Sequence, residues 1–205
     1  MRRIVAAVLT CGVLAAGAWG RILDALVARV DGRTITWSQV LREAEIRRLE
    51  GRSEAERLPR VVLDALVRRA LLVAEAEKLR LQVGPEELEK ALRELEEACC
   101  MRLQRLAERV GVTPEDLRRR QHRILLAEKY LRLRREMTFV PTSEVRAFYW
   151  RHRHRLGGQG FAEVRGALRA YLAERRYQKE LNAWFERQKE QGRVEWLALP
   201  GTNAP

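Results

Sequence analysis

The chain has little of what catalytic chemistry requires. Its 205 residues hold three histidines, His122, His152 and His154, and three cysteines, Cys11, Cys99 and Cys100. No Walker sequence, no GxGxxG and no zinc-ligand spacing occurs. Arg-His-Arg-His-Arg at 151–155 has the look of a metal site, but helix positions two apart do not face each other, and the flanking arginines disfavour a cation. The carboxylate pairs Glu86-Glu87 and Glu96-Glu97 fall on charged helix faces. Cys99 and Cys100 are neighbours and cannot staple distant segments, so the fold is not expected to depend on disulfides. They read as two partly buried thiols on a helix, with a redox or intermolecular role as the alternative. With no histidine near them in sequence, they give no nucleophile argument. The expectation is a chain with no catalytic residue, no metal and no cofactor, and not an enzyme.

Long apolar runs are also lacking, except at the start. Met1-Arg2-Arg3 is a short basic segment, and Ile4 to Trp19 is apolar apart from Thr10, Cys11 and glycines. Small residues follow, which is the layout of a secretory signal peptide. The run is shorter than the ~20 apolar residues a spanning helix usually needs, although an uncleaved anchor is the alternative. Cys11 lies inside the apolar run, which argues against a lipid-modified cysteine. No later segment is apolar enough to span a bilayer. The expectation is an exported, soluble protein whose leader occupies residues 1–20.

Negative charge is scarce in one place. The formal charge is +12, and loss of Arg2 and Arg3 with the leader leaves +10. Between Arg118 and Arg155 stand twelve Arg or Lys and only three acids, Glu128, Glu136 and Glu144. This band reads either as a solvated helix face or as a surface for polyanionic or acidic partners. Arg118, Arg119, Arg123, Arg132, Arg135 and Arg151 are its candidate contact residues. Nucleic acid is not an expected partner, because an exported chain does not meet it.

What is present is helix punctuation, after one hairpin. In "VARVDGRTITWSQV" (27–40), Asp31-Gly32 between alternating apolar residues predicts a tight hairpin. Thr36 with Gln39 predicts a capping box opening a helix to about Glu50, and Ser53 with Glu56 predicts a second box. Leu58 to Leu79 is apolar on most faces, the mark of a central buried helix. Gly84-Pro85 starts a helix expected to run to about Val110, and Thr113-Pro114 starts another ending near Met137. On the latter, Leu126, Tyr130, Leu133 and Met137 form one stripe; Leu117, Ile124 and Leu131 form a second. After the break Phe139-Val140-Pro141, Thr142 is expected to cap a short helix. Leu156 to Gly160 is a flexible linker. Phe161 to about Glu190 reads as a long amphipathic helix with Phe161, Val164, Leu168, Tyr171, Leu172, Leu181, Trp184 and Phe185 inward. Arg193 to Leu197 is a strand candidate, and the tail reads as disordered.

An isolated hairpin is marginal in water. A third strand from 193–197 completes a small sheet and ties the two ends of the chain together. The fold class is therefore mainly α, with a small β-sheet formed by an N-terminal hairpin and a C-terminal strand. Trp37 and Trp196 are expected in the core near that sheet. Phe148, Tyr149 and Trp150 are consecutive, so a helix cannot bury all three on one side. They are the candidate peptide-binding residues, against the plainer reading that all three pack on the domain.

The order of these pieces resembles the SurA-like family of periplasmic chaperones, in its N-terminal chaperone module. The matching segments are the leader, "VARVDGRTITWSQV", "VVLDALVRRALLVAEAEKL", "LQVGPEELEKALREL", "GVTPEDLRRRQHRILLAEKYLRLRREM", "VPTSEVRAFYWRH" and the closing stretch from Phe161 to Leu197. The resemblance implies a helical chaperone module over 21–156, with 161–197 packing back on it and 198–205 as a tail. Family members usually carry parvulin-type prolyl isomerase domains where this chain has only the short linker 157–160. A domain needs on the order of 100 residues, so no isomerase site carries over. The resemblance implies an ATP-independent periplasmic holdase for unfolded outer-membrane or secreted polypeptides. The alternative is an envelope scaffold whose basic band binds an anionic envelope surface.

Overall fold

Two strands and a tight turn open the fold. β1 (Leu26–Val30) and β2 (Arg33–Thr36) are joined through Asp31 and Gly32, whose φ angles of 47° and 79° are both positive. Those are the signs a type I′ turn demands, and Gly and Asp meet them at little steric cost. The computed structural model describes residues 24–197. The leader assigned to 1–20, with Cys11, and the tail assigned to 198–205 lie outside the described residues.

Eight helices follow among the described residues. α1 (Trp37–Leu49) opens on the expected box: Gln39 N–H donates to the Thr36 hydroxyl, and Gln39 Oε1 accepts from Thr36 N–H at 3.2 Å. α2 (Glu54–Arg57) opens on the same device at Ser53 and Glu56. α3 (Pro59–Lys78) is the central helix, burying Val62, Val67, Leu71, Val73 and Ala76. α4 (Pro85–Ala98) and α5 (Leu103–Val110) are separate, where one continuous helix to Val110 was expected. Cys100 adopts a left-handed φ of 51°, Cys100 N–H donates to the Glu97 carbonyl, and Met101 N–H donates to the Glu96 carbonyl. That pair of bonds is a Schellman cap. Glu96 Oε1 then accepts Leu103 N–H at 2.7 Å in the first turn of α5.

α6 (Pro114–Glu136) starts at a Thr113/Asp116 box. α7 (Thr142–His152) starts with Pro141, not Thr142, at the capping position. Proline sits there because its fixed φ suits the extended backbone before a helix. The Thr142 hydroxyl instead accepts from Arg169. A single 3-10 turn (Arg153–Arg155) leads toward α8 (Phe161–Glu190), and β3 (Val194–Trp196) closes the fold.

The sheet order is β2-β1-β3, all antiparallel, with Val30 opposite Val194 and Ala28 opposite Trp196. The C-terminal strand thus completes the N-terminal hairpin, as the instability of a lone hairpin requires. Three apolar clusters form. The largest joins the sheet to α1, α3, α6 and the end of α8 through Val27, Val40, Leu71, Tyr130, Trp184 and Phe185. A second gathers Ile46, Leu95, Cys99, Leu106 and Leu117. The third, Val140, Val145, Tyr149, Val164 and Leu168, holds α7 against the first half of α8. α8 therefore serves two clusters, one with each half. Burying each such side chain contributes about 1.5–3 kcal/mol. Trp37 packs only partly against the main cluster, and Trp196 is exposed rather than core, because it ends a three-residue strand.

Candidate functional site

The α7–α8 arm separates the three consecutive aromatics. Successive helix residues point about 100° apart. Tyr149 faces inward, where its hydroxyl donates to the Gln159 carbonyl at 2.9 Å and its ring meets Phe161 edge-on at 5.5 Å. Phe148 is half-buried, stacked on the His152 ring at 4.0 Å and tilted against Tyr171. It lines a shallow cleft of about 360 Å³ with Arg151, Leu172 and Arg175. Trp150 points outward, 59% exposed, under the Arg153 guanidinium. Of the three candidates only Trp150 has most of its surface in solvent.

Other apolar side chains join it that the sequence reading did not single out for binding. Phe139 is 74% exposed and Met137 73%, both in the segment between α6 and α7. Tyr171 on α8 is half exposed. Met137 continues the Leu126, Tyr130, Leu133 stripe in sequence, but it lies past the last turn of α6 and is exposed. Phe139 is exposed, whereas Val140 beside it is buried in the cluster that joins α7 to α8. The arm, taken with the segment that leads into it from α6, thus carries four large exposed apolar residues: Met137, Phe139, Trp150 and Tyr171.

The basic residues do not form one face. Arg118 pairs with Glu89, Arg119 with Asp116 at 2.6 Å, and Arg135 with Glu174 at 3.2 Å while lying over the Tyr177 ring. Arg123, Arg132 and Arg151 have no ion-pair partner among the described residues. Arg134 stacks on Tyr130 and Trp184. Arginines at consecutive α6 positions radiate around the helix, which divides the band read from the sequence.

One arginine of the band turns inward. Arg120 donates to both oxygens of Glu43, at 2.7 Å and 3.0 Å, and reaches Glu50 at 3.4 Å. Arg69 also donates to Glu43 at 3.0 Å, and Arg47 stands 3.6 Å away. Burial alone raises the Glu43 pKa, but the Arg120 and Arg69 charges outweigh it and hold the carboxyl well below its ordinary range. Burial likewise lowers Arg120, and Glu43 more than reverses it. The signal was present in the spacing. Glu43 sits between Val40 and Ile46, and Arg120 three residues after Leu117, both at core positions of their helices.

His152 is engaged with Phe148, and His154 lies in the 3-10 turn. Cys99 is buried and Cys100 exposed, neither in a disulfide. Among the described residues, no helix is long and apolar enough to cross a membrane.

A family model described as SurA-like N-terminal domain matches residues 3–131, well over half of the chain. The match points to a chaperone-type module and ends inside α6, so α7, α8 and β3 lie beyond it. No curated protein matches the chain.

Proposed function

We propose a holdase function for this chain, which belongs to the SurA-like N-terminal domain family. It binds unfolded outer-membrane or secreted polypeptides in the periplasm, without ATP and without bond chemistry, and releases them to fold. The observation that carries this reading is the set of exposed apolar side chains on the arm, Met137, Phe139, Trp150 and Tyr171. Isolated exposed apolar residues are ordinary, but four along the α6–α7 segment, α7 and α8 offer an unfolded chain repeated places to bury its own apolar groups. Each contact is worth roughly 25 cal/mol per Å² of apolar area before ordering costs, so binding is weak per site and tolerant of sequence. That is the behaviour a holdase needs. The leader-like first 20 residues support a periplasmic location.

The test is suppression of aggregation. A urea-unfolded outer-membrane barrel protein is diluted into buffer with the mature chain, at low and at physiological salt, with light scattering and co-elution followed. Suppression that persists at physiological salt supports the holdase. Its absence at several-fold excess removes it. Arg132 and Arg151, which have no ion-pair partner among the described residues, favour a second reading, a scaffold on an anionic envelope surface. Binding of that kind collapses as salt rises, because surface charges are screened beyond about 8 Å at physiological ionic strength.

A further inference from the structure

A second concave surface lies away from the arm. β2, α1, α3 and the first half of α6 enclose an open cleft of about 780 Å³. Six arginines line it: Arg33, Arg42, Arg69, Arg119, Arg120 and Arg123. The acids on its wall are only Glu43 and Asp116. Glu43 is consumed by Arg69 and Arg120, Asp116 by Arg119, and Arg33 reaches out to Glu77. Arg42 and Arg123 have no ion-pair partner among the described residues. Arg123 is open to solvent in the cleft, yet enough protein surrounds it to lower its pKa, and the Arg69 and Arg119 charges lower it further. A wall of like charge facing a concavity is relieved when an anion enters.

The rest of the lining narrows the choice of anion. Leu66 stands partly exposed among the arginines, and Ile35, Val73 and Leu117 are buried in the same lining. A free inorganic anion has no use for an apolar neighbour, and a flat bilayer does not reach a lining residue as little exposed as Arg69, at 18%. β2 borders the cleft through Arg33, Thr34 and Ile35, and among the described residues it pairs only with β1. An outer strand beside a pocket is where an extended peptide can lie along a sheet. Alternation along such a peptide places charged groups on one side and apolar groups on the other.

We infer that this cleft binds an extended, acidic stretch of polypeptide, its carboxylates paired with Arg42 and Arg123 and an apolar side chain against Leu66. The inference deepens the holdase reading, on which it rests for the class of partner. It gives the chain two unlike surfaces for one client, an apolar arm and a basic cleft.

The probe is a short fluorescein-labelled peptide of alternating Glu and Val, with its Gln–Val counterpart, titrated with the mature chain at physiological salt. The acidic peptide is expected to bind at least tenfold more tightly than the amide one. Arg42→Gln/Arg123→Gln, at two solvent-facing positions, is expected to weaken the acidic peptide about a hundredfold, or about tenfold for each charge-assisted hydrogen bond lost. The melting temperature should not fall. Arg42→Lys/Arg123→Lys keeps the charge and should retain much of the binding. Equal affinity for the two peptides overturns the inference, even if the glutamine variant fails to fold. So does wild-type affinity in that variant, or binding of anionic phospholipid vesicles in place of the peptide. Aggregation suppression measured alongside separates the two readings. Suppression without acidic-peptide preference removes the cleft alone, whereas peptide binding without suppression removes the holdase.

Discussion

Arg193 closes on Asp31 across 162 positions of sequence: Nε donates to Oδ1 at 2.8 Å and Nη2 donates to Oδ2. The Asp31 N–H donates to the Arg193 carbonyl at 3.0 Å, and Nη1 of the same guanidinium reaches Glu75 of α3 at 2.7 Å. One side chain thus joins the hairpin turn, the approach to β3 and the central helix. Arg193→Ala should lower stability by about 2 kcal/mol, as expected for a bidentate charged contact. The pH dependence follows from Asp31, whose hydrogen bonds to Arg193 hold its carboxyl below the ordinary value of 3.8. A depressed pKa gives stability that is present above the unfolded value and is lost as pH falls through the folded one. Urea midpoints of wild type and variant should therefore differ at pH 7 and converge as the pH drops below 3.8. A difference that stays constant into acid assigns the effect to packing instead.

Glu43 tests the inner network in the same way, with a larger effect. Its two bonds from Arg120 and one from Arg69 neutralise charges that have few other partners. Glu43→Ala leaves them buried and should cost about 3–5 kcal/mol, the range for breaking a buried pair from one side. Denaturant unfolding measures it. A loss under about 1 kcal/mol means water reaches the arginines and the network is not sealed.

The two cysteines differ enough to be told apart chemically. Burial pushes the Cys99 thiol up to about 11, whereas Cys100 is exposed at the helix break. Thiolate is the reactive form. At pH 8 one equivalent of alkylating reagent should enter a native chain that starts at Arg21, at Cys100, and two should enter in urea. Mass spectrometry of the peptide holding both residues counts them. Two equivalents in the native state place Cys99 outside its cluster.

Local chemistry explains what the sequence made legible. Asp31-Gly32, Thr36 with Gln39 and Ser53 with Glu56 each act within four residues, and each forms as expected. β3 was legible for a different reason, since a two-stranded hairpin lacks the burial to stand alone. The break between α4 and α5 was not, because its left-handed residue is Cys100 rather than glycine. The Glu43–Arg120 pair spans 77 positions, and no local pattern reports a partner that distant. Which of Phe148, Tyr149 and Trp150 turns inward depends on where α8 lies, so the three positions were legible as a group and their separate roles were not.

Removal of α8 should be more damaging than its distance in sequence suggests. A chain ending at Gly160 loses Trp184, Phe185 and Val194 from the main cluster, together with β3. Cavities left by large aromatics cost about 3–5 kcal/mol each, and whole domains are stable by only about 5–15 kcal/mol. The truncated chain should lack a cooperative melt by circular dichroism. A melt as sharp as that of the full chain refutes the dependence.

Tyr149 and Trp150 are adjacent, and they separate stability from binding. Tyr149 is buried between α7 and α8 and donates to Gln159. Tyr149→Ala removes a buried ring and its partly buried hydrogen bond to Gln159, so it should lower stability by about 3 kcal/mol or more. Trp150 and Phe139 have most of their surface in solvent, and truncating them creates no cavity. Trp150→Ala/Phe139→Ala should leave the melt within about 0.5 kcal/mol of wild type. If the arm holds clients, the same double variant should need several-fold more protein for equal suppression of scattering, because two of four exposed apolar contacts are gone. Tyr149→Phe is the control: it keeps the ring and the arm, and it should suppress as wild type does. Unchanged suppression in the double variant, with its fold intact, moves client binding off the arm.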